Sequence, residues 1–196
     1  METELPDRLK LPMTFDAAGL AAEVAALAES DWHRHILRRN YEGDWCIVPL
    51  RAAAGETHPV RMICANPNQT EFVDTPMLDR LPGLRAALRR FRCPLLQARL
   101  MRLSPGSVIL EHCDPDLDGG GARLHVPITT GAGVTFLLNR RAVPMAPGEL
   151  WYLRLLDPHS AANCGTSQRV HLVVDVVMND WLRGLMREGM PNPRSS

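Results

Sequence analysis

The chain has 196 residues, 45% of them hydrophobic and 22% charged, and its formal net charge is zero. A chain of this length buries a sizeable core without disulfide or metal staples, and the lack of a basic excess argues against a nucleic-acid or anionic-membrane partner. Its five cysteines, Cys46, Cys64, Cys93, Cys113 and Cys164, are odd in number and form no C-x-x-C pair. They fit neither a finger-type zinc site nor a disulfide framework, and a reducing cytoplasm is expected.

The N-terminal METELPDRLKLPM is acidic and interrupted by proline. With neither a basic start nor an apolar run it does not read as a secretory signal, and no segment nears the roughly 20 apolar residues of a bilayer span. Asp16 then precedes AAGLAAEVAALAES, a helix with Leu20, Val24 and Leu27 on one face and Asp16 as its N-cap. Trp45 to Leu50 and Val60 to Cys64 read as short strands, separated and followed by the turn-rich AAAGETHP and ANPNQ. A second helix is expected from Pro76 to Phe91, with Leu78, Leu81, Leu84 and Leu88 on one side and Arg85, Arg89 and Arg90 on the other. Together with Arg92 these arginines read as a solvated helix face rather than a nucleic-acid patch.

From Cys93 the character changes. LLQARLMRL, SVILEH, ARLHVPIT, GVTFLL, RAVPMA, ELWYLR and RVHLVVDVVM alternate with Gly, Pro, Asn and Asp turns. Short strands so closely spaced point to a β-sandwich or barrel rather than a βαβ fold. Residues 179–188 read as a closing helix, and the tail MPNPRSS as frayed. The expected layout is one domain over 1–196: an N-terminal α/β lobe to about residue 92, a β core to about 178, then helix and tail.

Four features with chemical potential fall at strand ends: His112-Cys113-Asp114, Arg123-Leu124-His125, His159 and Arg169-Val170-His171. Residues i and i+2 of a strand share a face, so His112 and Asp114 can offer a nitrogen and a carboxylate oxygen to one metal. A distal histidine, best filled by His159, completes a two-histidine, one-carboxylate triad that leaves positions open on iron(II) for a co-substrate and O2. Arg169, ten residues beyond His159, suits the free carboxylate of a co-substrate such as 2-oxoglutarate, because its planar fork binds both oxygens. Taken singly, each feature also has a plainer reading as a turn-opening or strand-end charge.

The order Arg102-Leu103-Ser104-Pro105-Gly106, His112-x-Asp114, Arg123-x-His125, Pro147-Gly148-Glu149-x-Trp151, His159, Asn163 and Arg169-Val170-His171 resembles the aspartyl/asparaginyl β-hydroxylases. The resemblance runs from about Cys93 to Met178, and Tyr41 to Leu50 is also similar to small bacterial members. It implies a mainly β, double-stranded β-helix (cupin or jelly-roll) core with N-terminal helices and a short C-terminal helix. It further implies a dioxygenase using Fe(II), 2-oxoglutarate and O2 to hydroxylate an amino acid, an amino-acid derivative or a peptidyl residue, with succinate and CO2 as by-products. His112 and His159 match the iron-binding histidines, and Asp114 stands where a carboxylate completes the triad, although some members carry glycine there. Arg169 matches the residue that pairs with the distal carboxylate of 2-oxoglutarate, and Arg123 and His125 a pair lining the same site. Trp151 reads as structural, and His171 as packing or support. The expected partner is a small-molecule or peptide substrate, with no nucleic acid and no membrane; a homo-oligomer is left open.

Other readings were weighed. Asp114-Pro115-Asp116-Leu117-Asp118-Gly119 opens like a calcium loop, but the twelfth position, which needs a bidentate Glu, is His125. A mobile acidic lid fits that loop better. A zinc hydrolase would need a separate base, Glu111 or Glu149, and a non-catalytic cupin-like binding protein would have less reason to keep both the triad and Arg169. Cys113 is expected to pack on the opposite strand face. His33 and His35 read as shaping the substrate pocket rather than as a second metal site.

Overall fold

A computed structural model describes residues 5–64, 69–114 and 120–190. The turn at 65–68, the loop read above as an acidic lid (115–119) and the tail from 191 lie outside the described residues.

In chain order the elements are β1 (Arg8–Thr14), α1 (Ala17–Ala25), β2 (His33–Arg34), β3 (Tyr41–Glu42), β4 (Trp45–Ala53) and β5 (Phe72–Asp74). Then come α2 (Pro76–Asp79), α3 (Pro82–Leu88), β6 (Leu95–Leu103), β7 (Ser107–His112), β8 (Gly121–Thr129) and β9 (Val134–Leu138). β10 (Arg141–Ala142), β11 (Glu149–Leu153), β12 (His159–Asn163), β13 (Arg169–Val177) and α4 (Asp180–Gly189) complete the fold. The larger sheet runs β1-β11-β8-β13-β6-β4-β2, with β5 added to β4, and the smaller runs β10-β9-β12-β7-β3. Pairing is antiparallel throughout the described ladders.

Strand periodicity divides the core in two. On β13, Val170, Leu172, Val174 and Val176 point outward from the larger sheet, joined by Ala98 and Leu100 of β6 and Ala122, Leu124 and Val126 of β8. The helices cover that face with Leu20, Leu78, Leu84, Leu88, Leu182 and Met186. Between the sheets a second, smaller cluster joins Trp45, Leu103 and Leu153 of the larger sheet to Ile109, Phe136 and Leu138 of the smaller. The inward positions of β6, β8 and β13 are largely polar: Arg99, Arg123, His125, Arg169, His171 and Asp175 are all buried.

The helix expected over 76–91 is broken. Pro82 has no N–H to continue a helix, so one helix ends and another starts with proline in its first turn. Glu23 of α1 caps that second helix, accepting from the backbone N–H of Gly83 at 2.6 Å and of Leu84 at 3.0 Å. Asp16 caps α1, accepting from Gly19 N–H at 3.0 Å. The strand expected at Val60 to Cys64 is instead a 3-10 turn over Arg61–Ile63, because Arg61 and Met62 both donate to the His58 carbonyl. The N-terminal stretch is woven into the β core rather than set apart from it: β1, β2, β4 and β5 belong to the larger sheet and β3 to the smaller. Of the expected arginine face, Arg85 pairs with Asp79, while Arg90 donates to Thr14 O and lies over the Phe15 ring.

Leu172 is fully buried at the centre of β13. Leu172→Ala should destabilise the chain by about 2–5 kcal/mol, a loss of apolar burial plus the cavity left behind, measurable by urea denaturation.

Candidate active site

β7 and β12 are neighbours in the smaller sheet, and their register places His112 at the end of one directly opposite His159 at the start of the other. The two imidazole centroids are 4.3 Å apart. Asp114 lies just past the end of β7, held there by its N–H on the Leu155 carbonyl at 2.8 Å. Its Oδ1 is 3.6 Å from His112 Nε2 and its Oδ2 is 3.9 Å from His159 Nε2. One donor atom from each of the three lies within 4.8 Å of the others, a separation that a single ion can bridge.

The histidines are oriented for that purpose. His112 Nδ1 is 2.7 Å from Leu110 O, and His159 Nδ1 is 3.1 Å from Asp157 O. A carbonyl only accepts, so each Nδ1 carries the proton and each Nε2 keeps its lone pair. Burial, opposed by the charge of Asp114, lowers the pKa of His159 and favours the neutral ligand form.

The three donors open onto a cavity of about 470 Å³. Arg169 and His125 line its wall, both buried. Arg169 donates from Nη2 to His171 Nδ1 at 3.1 Å, its Nε has no partner, and no carboxylate among the described residues pairs with it. Burial alone lowers its pKa, to about 10, still charged at neutral pH. His125 Nδ1 lies 3.5 Å from His171 Nδ1, and its Nε2 has no partner. Phe136 spans the two ends, its ring 5.9 Å from the Arg169 guanidinium and stacked at 6.1 Å on His159.

Arg123, expected beside the co-substrate, lines the cavity, but its guanidinium is engaged elsewhere. Nη1 donates to Asp114 Oδ2, while Nε and Nη2 hold the two oxygens of Asp175 at 2.6 and 3.0 Å. Arg99 donates to Asp175 Oδ2 at 2.8 Å and keeps an unpartnered Nε. Burial by itself would raise the Asp175 carboxyl, but the two guanidinium groups hold it well below the usual carboxylate range.

Sequence reasoning passed over Arg99 and Asp175. The available clue was a charged residue at an inward position of an otherwise apolar strand, which demands a buried partner. Of the two histidines expected to shape the pocket, His35 lines the wall and His33 does not, and the stacking of His35 on Trp45, with ring centroids 3.7 Å apart and planes 11° apart, was not foreseen. Cys113, expected to pack, is exposed. The bases proposed for a hydrolase do not line the cavity: Glu111 pairs with Arg140 at the surface, and Glu149 binds Lys10 and the Trp151 indole N–H. That bond gives Trp151 the structural part expected of it.

The family model described as aspartyl/asparaginyl beta-hydroxylase matches residues 16–179. L-proline cis-4-hydroxylase of Rhizobium meliloti (strain 1021) is 33% identical over 164 residues, which cover 82% of this chain and 57% of that protein. The chain thus spans little more than half the length of the curated relative. A 2OG-Fe(II) oxygenase family oxidoreductase from Burkholderia pseudomallei superposes with a TM-score of 0.54 at 15% identity, over 83% of this chain and 78% of that one. The viral collagen prolyl hydroxylase of Paramecium bursaria Chlorella virus-1, solved with 2OG, gives 0.51 at 10% identity, over 88% and 97%. At these identities the likeness concerns the fold, a mainly β double-stranded β-helix. No helix among the described residues is long and apolar enough to cross a membrane.

Burial, reinforced by the charge of Arg99, lowers the pKa of His35 from 6.5 to about 3. The unfolded chain therefore binds more protons between those values, so stability is present above pH 6.5 and is lost as pH falls through this window. The loss amounts to at most about 1.4 kcal/mol per pH unit for such a group. Urea midpoints should fall between pH 7 and pH 5. His35→Phe, which keeps the stack and cannot protonate, should shrink that fall; an unchanged fall would show that His35 is not held neutral by the fold.

Proposed function

Because the chain belongs to the aspartyl/asparaginyl β-hydroxylase family, we propose that it is an iron(II)- and 2-oxoglutarate-dependent hydroxylase of an amino acid, an amino-acid derivative or a peptidyl residue. The observation that carries this reading is one cavity lined by three side chains able to hold a metal ion and by a buried guanidinium with no carboxylate partner among the described residues. Two imidazoles with free Nε2 atoms and one carboxylate form the donor set that suits iron(II) with open positions. A buried arginine without an anion is costly, so Arg169 fits a site built to receive one.

In this reading His112, Asp114 and His159 hold the metal, and Arg169 binds the distal carboxylate of 2-oxoglutarate through its fork. When bound, iron(II) with 2-oxoglutarate and O2 would supply the oxidising chemistry for an unactivated C–H bond. The chain's own residues do the rest. The Leu110 and Asp157 carbonyls keep the two imidazoles in the ligating tautomer. Phe136 and the stacked His35–Trp45 wall keep water from the reacting end. His125, beside Arg169, keeps an unpartnered Nε2 for an oxygen-bearing ligand group that can donate a hydrogen bond, or for a bridging water. Arg99, on the wall with Nε unpartnered, suits an anionic group of the substrate. An amino-acid carboxylate answers that description, in keeping with the relative named for L-proline hydroxylation.

Anaerobic titration with iron(II) and 2-oxoglutarate should produce the weak visible charge-transfer band of the chelate, and His159→Ala should abolish it. Arg169→Ala should keep iron binding but weaken 2-oxoglutarate by about tenfold or more, the loss of a charge-assisted bidentate contact. An unchanged 2-oxoglutarate requirement would remove Arg169 from the co-substrate site. With the chelate established, a screen of free amino acids, amino-acid derivatives and short peptides for coupled succinate release identifies the substrate.

A further inference from the structure

Asp175 belongs to no motif read from the sequence, yet two buried arginines of the cavity wall bond to it, and one of them also reaches Asp114. It sits on β13 directly opposite Arg123 of β8. On the other side the β13–β6 register slips between Val174 and Val176, so Asp175 has no partner residue on β6 and its side chain meets Arg99. Both Asp175 oxygens are used: Oδ1 by Arg123 Nε at 2.6 Å, and Oδ2 jointly by Arg123 Nη2 at 3.0 Å and Arg99 Nη1 at 2.8 Å. Arg123 also donates from Nη1 to Oδ2 of Asp114, leaving Oδ1 on the side of His112 Nε2.

We propose that Asp175 is a positioning residue of the metal centre: by engaging one edge of the Arg123 guanidinium it keeps that arginine from taking both oxygens of Asp114. The inference rests on the metal site proposed above. Its physical basis is the fork geometry of arginine, which prefers to bind a carboxylate with two parallel N–H groups. With one edge committed to Asp175, Arg123 makes a single bond to Asp114 and orients it. Without Asp175, the fork can pivot onto both oxygens of Asp114 and withdraw the oxygen that the metal needs. Through the shared Oδ2, Asp175 also sets the position of Arg99, so the substrate wall and the metal ligand are placed by one carboxylate.

The test is metal affinity, read with Co(II) as the probe by calorimetry and by its visible ligand-field bands. Asp175→Asn strands two buried guanidinium groups and endangers the fold. The paired variant Arg99→Gln/Asp175→Asn removes one charge of each sign and keeps the balance. Arg123→Lys keeps every charge but lacks the planar fork that grips Asp175 with two N–H groups while a third reaches Asp114. Each variant is first checked for cooperative melting. The expected result is Co(II) binding about 10–100-fold weaker than in the unaltered chain, with shifted visible bands, in the paired variant and in Arg123→Lys. The inference is overturned if the paired variant melts cooperatively and binds Co(II) as the unaltered chain does, whatever Arg123→Lys shows. Should the paired variant fail to fold, Asp175→Glu carries the same criteria with the charge retained and displaced by one methylene. Failure of the unaltered chain to bind Co(II) would instead sink the metal centre itself.

Discussion

The barrel interior gathers buried positive charge around the site, and the arrangement of the site follows from that. Arg99, Arg123 and Arg169 are each about 95% buried or more. The carboxylates bonded to them are Asp175 and Asp114, both engaged by Arg123. Burial, aided by the guanidinium groups, holds His125 and His171 well below their ordinary range. An apolar interior would be cheaper to build. A fold that retains these charges spends stability on a site prepared for an anion and a cation together.

The three arginines are not equivalent, and the difference lies in their partners. Arg123 is bound on both edges of its fork, which makes it part of the scaffold. Among the described residues, the Arg169 guanidinium meets an imidazole and an aromatic ring. Its unmet charge is therefore the one most available to a ligand. Arg99 stands between them, tied at one nitrogen and open at another. The smaller sheet carries His112 and His159 and the larger sheet the arginines, so a ligand spanning the proposed metal position and Arg169 would bridge the two sheets across Phe136.

Much of this was legible because strand periodicity is strict. LLQARLMRL, ARLHVPIT and RVHLVVDVV announce themselves as strands, and their positions fix which residues face inward. Five strands escaped: the short β2, β3 and β5, and the longer β1 and β12. β12, HSAAN, has little β-forming character; it is a strand because β7 and β9 flank it and Asn163 donates from its side chain to Leu103 O and Ser167 O. β1 alternates Leu9 and Leu11 correctly, but its partner β11 lies about 140 residues away, a pairing that local pattern does not reveal. The Pro82 break was readable and was overridden by the leucine spacing on either side of it.

Arg99 and Asp175 were illegible for a different reason. Strands buried on both faces are expected to be nearly continuous in apolar residues, and single charges within them look like noise. Only the register gives them meaning. Asp175 must stand across from Arg123, and the slip beside Val174 must leave it unpaired on the other side, before the two arginines become a pair. A one-residue slip of β13 would have sent Asp175 into the apolar layer of Val174 and Leu124 and taken it away from Arg99 and Arg123. The charges therefore act on the fold as well as within it: they penalise the wrong register of β13 by stranding a carboxylate in hydrocarbon, and the register that satisfies them is the one that forms the site.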